Sequence, residues 1–140
     1  MLSDKILLES ELTDPLELLN TPGLEKTHSA LNISKGVIYY FMTDDELLEV
    51  NKSSLNHDYY TDIITFDYTN DDDIEHHEIL ISWDRVKDNS QKLRTNLSEE
   101  LHRVCIHGLL HIFGQNDNTP DAKQKMRSLE NEYLALYCST

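Results

Sequence analysis

The chain has 140 residues, of which 39% are hydrophobic and 27% charged, and its formal net charge is −14. This length reads as one domain, 1–140, large enough for a core, and the composition is that of a globular protein rather than a disordered or fibrous one. No apolar run approaches the roughly 20 residues of a membrane span, residues 1–6 lack a leader pattern, and Cys105 and Cys138 make no disulfide framework, so a cytoplasmic location without membrane contact is expected.

Ile6 to Ser10 reads as a first strand. Residues 15–31 follow with helical apolar spacing at Leu16, Leu18, Leu19 and Leu24, although Pro22-Gly23 should break or bend that helix. Gly36 to Met42 is β-branched and aromatic, hence a strand. Thr43 and Glu46 form a capping box for a helix from about Asp44 to Ser53. Thr61 to Phe66 is a second clear strand, Asp71 to Asp73 a loop tip, and Glu78 to Ser82 a hairpin mate for the second strand. His76 and His77, in an acidic stretch, read as solvent-exposed. Ser82 can cap a helix from Trp83 to about Leu93, and Ser98 can start another with Glu99 and Glu100 in its first turn. Thr119-Pro120-Asp121 opens a last helix whose stripe Met126, Leu129, Tyr133, Leu136 should pack on the core. The expected fold class is α+β: a small mixed β-sheet packed with helices, with a zincin-like metal site on a buried helix.

That helix carries the chemistry. His107 and His111 are four residues apart and so lie on one face, where two imidazoles can reach one ion at the roughly 2.0–2.1 Å of a zinc–nitrogen bond. Gly114 can turn the chain, and Asp117, ten positions after His107, can return a carboxylate as third ligand. Three protein ligands leave one position open, which marks a catalytic zinc site. An isolated pair of histidines at this spacing is a weak signal. Here, however, Cys105, Ile106, Leu109, Leu110, Ile112 and Phe113 surround the pair, so a shared cation would satisfy two buried rings. Cys105 reads as core rather than ligand, and His102 is given no role. The pattern is the metzincin one with Gly108 in place of the general-base Glu and Asp117 in place of the third His. A metalloprotease reading is weakened accordingly.

Several segments together resemble the bacterial YbeY family of rRNA maturation factors. The family's H-G-x-L-H-x-x-G-Y-D-H reads HGLLHIFGQND here, its T-D/N-V-L-S-F-P strand reads TDIITFD, and Glu78 to Val86 resembles its G-D-I-x-I-S-x-x-x-V segment. Asn51 fits the Asn of its L-N-x-x-Y-R stretch, and order and spacing agree from about Gly36 to the end. The resemblance implies a zinc-dependent single-strand endoribonuclease acting in 16S rRNA maturation and ribosome quality control. It further implies one Zn2+ per chain, metal-activated water as the agent of hydrolysis, and the small ribosomal subunit with its assembly factors as partners. Three positions depart from the pattern. Asp117 stands for the third histidine, Ser54-Leu55 for the Tyr-Arg pair whose arginine would meet the scissile phosphate, and Asp67 for a proline. Candidates for the base are His57, Asp58 and Asp62, and Arg85 could replace the missing cation. Each has a plain alternative: His57 as a loop histidine, Asp62 as a partner of loop backbone, Arg85 as a surface ion pair. Positive charge for RNA would come from Arg85, Lys87, Lys92 and Arg94, or from Lys123, Lys125 and Arg127. Nothing in the sequence interleaves aromatic and basic residues. The competing reading is a non-enzymatic ribosome-assembly factor with a structural metal, which the acidic balance and the missing arginine favour.

Overall fold

The elements run β1 (Ile6–Glu9), α1 (Asp14–Leu18), α2 (Thr21–Ala30), β2 (Gly36–Met42), α3 (Asp44–Leu55), β3 (Ile63–Phe66), β4 (His76–Ser82), α4 (Trp83–Leu93), α5 (Leu97–Phe113) and α6 (Pro120–Tyr133), which passes into a π-helical turn, Leu134–Cys138. The computed structural model describes residues 5–138. The leader reading of residues 1–6 therefore falls mostly on positions 1–4, outside the described residues.

The sheet order is β1-β2-β4-β3, with β1–β2 and β2–β4 parallel and the β3–β4 hairpin antiparallel. It is the mixed sheet that the sequence predicts. Alternation along the central strands supplies both faces. Val37, Tyr39, Phe41, Ile79 and Ile81 point into the main core, where Leu101, Cys105, Ile106 and Leu109 of α5 meet them. Leu80 and Ile64 point the other way and close on Leu47 of α3. The central helix is therefore sandwiched against the sheet, and it approaches closely. A Cβ on Gly108 would stand 2.7 Å from Ile79 Cδ1 and 3.2 Å from Ile63 Cδ1, so a side chain there must displace Ile79 or lift the helix. No glutamate could occupy that position without such a shift.

Local signals behave as their chemistry demands. The Thr43–Glu46 capping box forms in both directions, and the Ser82 hydroxyl accepts from Arg85 N. The predicted helix over 15–31 is two helices, because Pro22 sits in the first turn of α2 and the Asn20 side chain caps Gly23 N. Strand β3 starts at Ile63, two residues later than predicted. Strand β4 starts at His76, two residues earlier, because its first residues pair with β2. His77 is thereby buried rather than exposed, its Nδ1 accepting from Tyr68 N at 2.9 Å. Helix α5 is capped by Asn96, whose carboxamide oxygen accepts from Ser98 and Glu99 N, and not by Ser98. In the last helix Met126 is buried, but Leu136 is 61% exposed. The wider π turn shifts the phase of the stripe, and Leu134 and Cys138 take the inward places.

Candidate metal centre

The C-terminal half of α5 presents His107 and His111 one turn apart, and Gly114 ends the helix in the left-handed region at φ 111°. That turn brings the chain back, and Asp117 Oδ2 stands 3.6 Å from His107 Nε2 and 3.8 Å from His111 Nε2. The two Nε2 atoms are 2.9 Å apart. Ligands about 2.0–2.1 Å from a tetrahedral zinc are about 3.3 Å from one another, and these separations bracket that value. All three donor atoms lie within 4.8 Å of each other.

The tautomer suits the same purpose. His107 Nδ1–H donates to Glu130 Oε2 at 2.7 Å, which leaves the Nε2 lone pair facing His111 and Asp117. The other oxygen of Glu130 accepts from Arg103 Nη1 at 3.2 Å, and both side chains of this pair are buried. Burial alone would lower the pKa of His107, but the Glu130 hydrogen bond and charge, with Asp117 and Asp62 beyond, raise it. His111 is lowered by burial and by neighbouring His107, against the pull of Asp117. Two nitrogen donors and one carboxylate, with a carboxylate behind one imidazole, fit a divalent ion of zinc's class.

The histidines are not closed off among apolar groups, as the sequence implied. Their side chains are 21% and 30% exposed, and His107 borders a cleft of about 250 Å³. Its wall includes Asp62, Asp117, Lys123, Arg127 and Glu130.

Of the residues predicted as base or as replacement cation, Asp62 alone lines this cleft with His107, its carbonyl fixed by Ser82 N at 2.9 Å. His57 is exposed, stacked on Tyr59 at 5.1 Å and hydrogen-bonded to the Tyr59 hydroxyl, away from the cleft wall. Asp58 is exposed and 3.6 Å from Lys52. Arg85 is held by Asp44 at 3.0 Å and lies 5.2 Å above the Tyr60 ring. That stacking brings together an aromatic and a basic residue 25 positions apart, which the sequence kept separate. Asn51 is buried and pins the intervening loop, donating to Tyr59 O and accepting from His57 N through its own carbonyl. Leu55 is 39% exposed and outside the cleft wall.

Sequence reasoning missed Glu130, Arg103 and His102. The one signal for Glu130 was its place four residues after Met126, on the inward stripe of α6. His102 is a buried pin between chain segments: its Nδ1–H donates to Ser98 O at 2.6 Å and its Nε2 accepts from Asn20 N at 2.8 Å.

A profile of the family described as Endoribonuclease YbeY matches residues 11–137. Among curated relatives, Endoribonuclease YbeY of Phocaeicola vulgatus is 48% identical over 100 residues, covering 71% of this chain and 72% of its own. That of Cytophaga hutchinsonii is 44% identical over 118 residues, covering 84% and 80%. The solution structure of TM1509 from Thermotoga maritima superposes with a TM-score of 0.63 at 26% identity, over 94% of this chain and 89% of that one. The chain belongs to the YbeY endoribonuclease family.

Proposed function

We propose that this protein, acting as a single domain, is a metal-dependent hydrolase that cleaves single-stranded RNA internally, in the cytoplasm, during 16S rRNA maturation and ribosome quality control. Its relatives carry the name endoribonuclease, and one observation ties that activity to this chain: His107, His111 and Asp117 converge beside an open cleft that His107 and Asp117 line. The ion we assign to them is one Zn2+, and the partners are precursor rRNA, the small ribosomal subunit and its assembly factors. Bound there, such an ion polarises a phosphoryl oxygen and makes a water more acidic.

The chain's own groups do the rest. Glu130 orients the His107 ring. Asp62, lining the same cleft as His107, is the carboxylate available to take a proton from the attacking water, because Gly108 excludes a base at that position of the helix. His57 and Arg85 stack on Tyr59 and Tyr60 and hold the loop that delivers Asp62. Asp117 as third ligand would add negative charge, so an ion held here would acidify water less than one held by three imidazoles.

The test is cleavage of a labelled single-stranded RNA by wild type, His111→Ala and Asp62→Asn at matched zinc, with metal content measured. His111→Ala should lose both zinc and cleavage. Asp62→Asn should keep zinc and lose about 10²–10⁴ in rate. Equal cleavage by wild type and His111→Ala would end this reading.

A further inference from the structure

A chain of net charge −14 must bind a polyanion through local charge. The cleft beside His107 is where that charge is gathered. Its wall carries four carboxylates (Asp62, Glu100, Asp117, Glu130) and three cations (Arg103, Lys123, Arg127), so one divalent ion turns the local balance from minus one to plus one. The three cations are not equivalent. Arg103 is buried and committed to Glu130. Arg127 is 54% exposed and only loosely near Glu130, at 3.9 Å. Lys123 has no carboxylate within ion-pair distance among the described residues. Lys123 and Arg127 are four residues apart on α6, hence on one face. Lys125, between them, lies instead on a separate shallow surface with Asp121 and Gln124. The position where the family pattern has its arginine, Leu55, is off the cleft.

We propose that Lys123 and Arg127 are the phosphate-binding residues of this enzyme. They would clamp the RNA backbone beside the scissile linkage from the α6 wall, in place of an arginine on α3. The ligand is a phosphodiester of single-stranded RNA, so the assignment rests on the endoribonuclease reading for its substrate. The geometry is suited to two successive phosphates: one cation at each end of a helical turn, both exposed, lining the same cleft as His107, Asp117 and Asp62. Of the two basic groups that the sequence singles out, the one on α4 is spent differently. There Arg85 pairs with Asp44 and Lys92 with Asp88, each at 3.0 Å, Lys87 is 3.9 Å from Asp84, and none of the four, Arg94 included, lines the cleft.

The experiment measures binding rather than turnover. Affinity of a short fluorescent single-stranded RNA is followed by anisotropy across a salt series in two arms, in chelator, where metal-dependent cleavage is off, and zinc-loaded in the slow-cleaving Asp62→Asn background, each variant being read against its own parent and binding counted absent only if neither arm shows it. For single strands each phosphate contact contributes about 0.7 to the slope of log K against log salt. Lys123→Ala/Arg127→Ala should lower that slope by about 1.4 and weaken low-salt binding by roughly tenfold or more. Lys125→Ala should leave both unchanged, and Lys123→Arg/Arg127→Lys should restore the slope. An unchanged slope in the double alanine variant overturns the assignment, and so does an equal loss in Lys125→Ala or an absence of wild-type binding at low salt. The two readings separate with zinc loaded. His111-dependent cleavage with an unmoved slope removes the clamp alone. A lowered slope with no cleavage by wild type keeps the clamp and removes the endoribonuclease reading.

Discussion

His102 and His107 sit five residues apart on the same helix, and their rings are used in opposite ways. The backbone saturates His102. One nitrogen donates to Ser98 O, the other accepts from Asn20 N, and nothing is left for a ligand. His107 has one nitrogen spent on Glu130 and the other facing His111 and Asp117 at a cleft. Burial by itself does not separate a structural histidine from a metal ligand. The partner count of each ring nitrogen does, because an imidazole has two and a ligand must keep one lone pair uncommitted.

The strongest way to break the comparison is to remove the partner that leaves one nitrogen of His107 available to a metal. Glu130→Ala leaves the buried Arg103 guanidinium uncompensated and should destabilise the fold by about 3–5 kcal/mol. Glu130→Gln keeps the shape and loses the charge, and should weaken metal affinity by about 10–100-fold. Chemical denaturation and a zinc titration check these. If Glu130→Gln holds zinc as tightly as wild type, the carboxylate is there for Arg103 and not for the metal.

Metal withdrawal comes next. An ion bound only by the native state stabilises by RT ln(1 + [L]/Kd), about 2.7 kcal/mol at a hundredfold excess over Kd. For a chain of this size that is a fall in Tm of roughly 10 °C on chelation. His102→Gln should melt lower than wild type at every zinc concentration yet show the same zinc-dependent rise, while His107→Gln should lose that rise. Equal rises in both would erase the distinction between the two rings.

How much of this was legible follows from the range of each interaction. The Thr43–Glu46 box and the Ser82 cap close within one helical turn, so the sequence displays them whole. The His-His-Asp set spans ten residues on a helix and its turn, so its convergence is visible from the spacing of His107, His111, Gly114 and Asp117. Glu130 was illegible because it reaches His107 across 23 residues, through the packing of α6 on α5, and resembles any solvent-side acid of a charged helix. His77 was misjudged for a related reason. Its neighbours are charged, but its burial is set by pairing β4 in parallel with a strand 40 residues earlier. Leu136 followed a 3.6-residue period that the π turn abandons.

A smaller effect tests how firmly α5 must sit for the two rings to differ. Gly108 lets the helix rest on Ile79 and Ile63, and an added methyl meets Ile79 at 2.7 Å. Gly108→Ala should destabilise by about 1–3 kcal/mol through overpacking. It should also lower zinc affinity, because His107 is the adjacent residue. Gly114→Ala, where a Cβ meets nothing but φ is 111°, should cost stability through backbone strain alone. Denaturation curves with a zinc titration separate the two, and unchanged stability in Gly108→Ala would mean that the helix rides higher on the sheet than described.

The smallest effect is the dependence of stability on pH in chelated protein, and its sign differs between the two rings. Burial lowers the pKa of His102 below the usual histidine value, against the pull of Ser98 O, and burial lowers His77 likewise. Both rings are neutral in the fold, whereas the unfolded chain takes up their protons near pH 6.5. Their contribution to stability is therefore present above about 6.5 and is lost as pH falls toward the lowered values, by at most about 1.4 kcal/mol per pH unit for each. His107 runs the other way. Its pKa is raised, so its contribution is full below about 6.5 and lost as pH rises through the raised value. The expected profile of Tm between pH 7 and 5 is a net decline, since His77 and His102, with His111, outnumber His107. His102→Gln should flatten the decline, and His107→Gln should steepen it. Parallel profiles for the two variants would show that the rings respond to protons alike, and the contrast between pin and ligand would then rest on geometry alone.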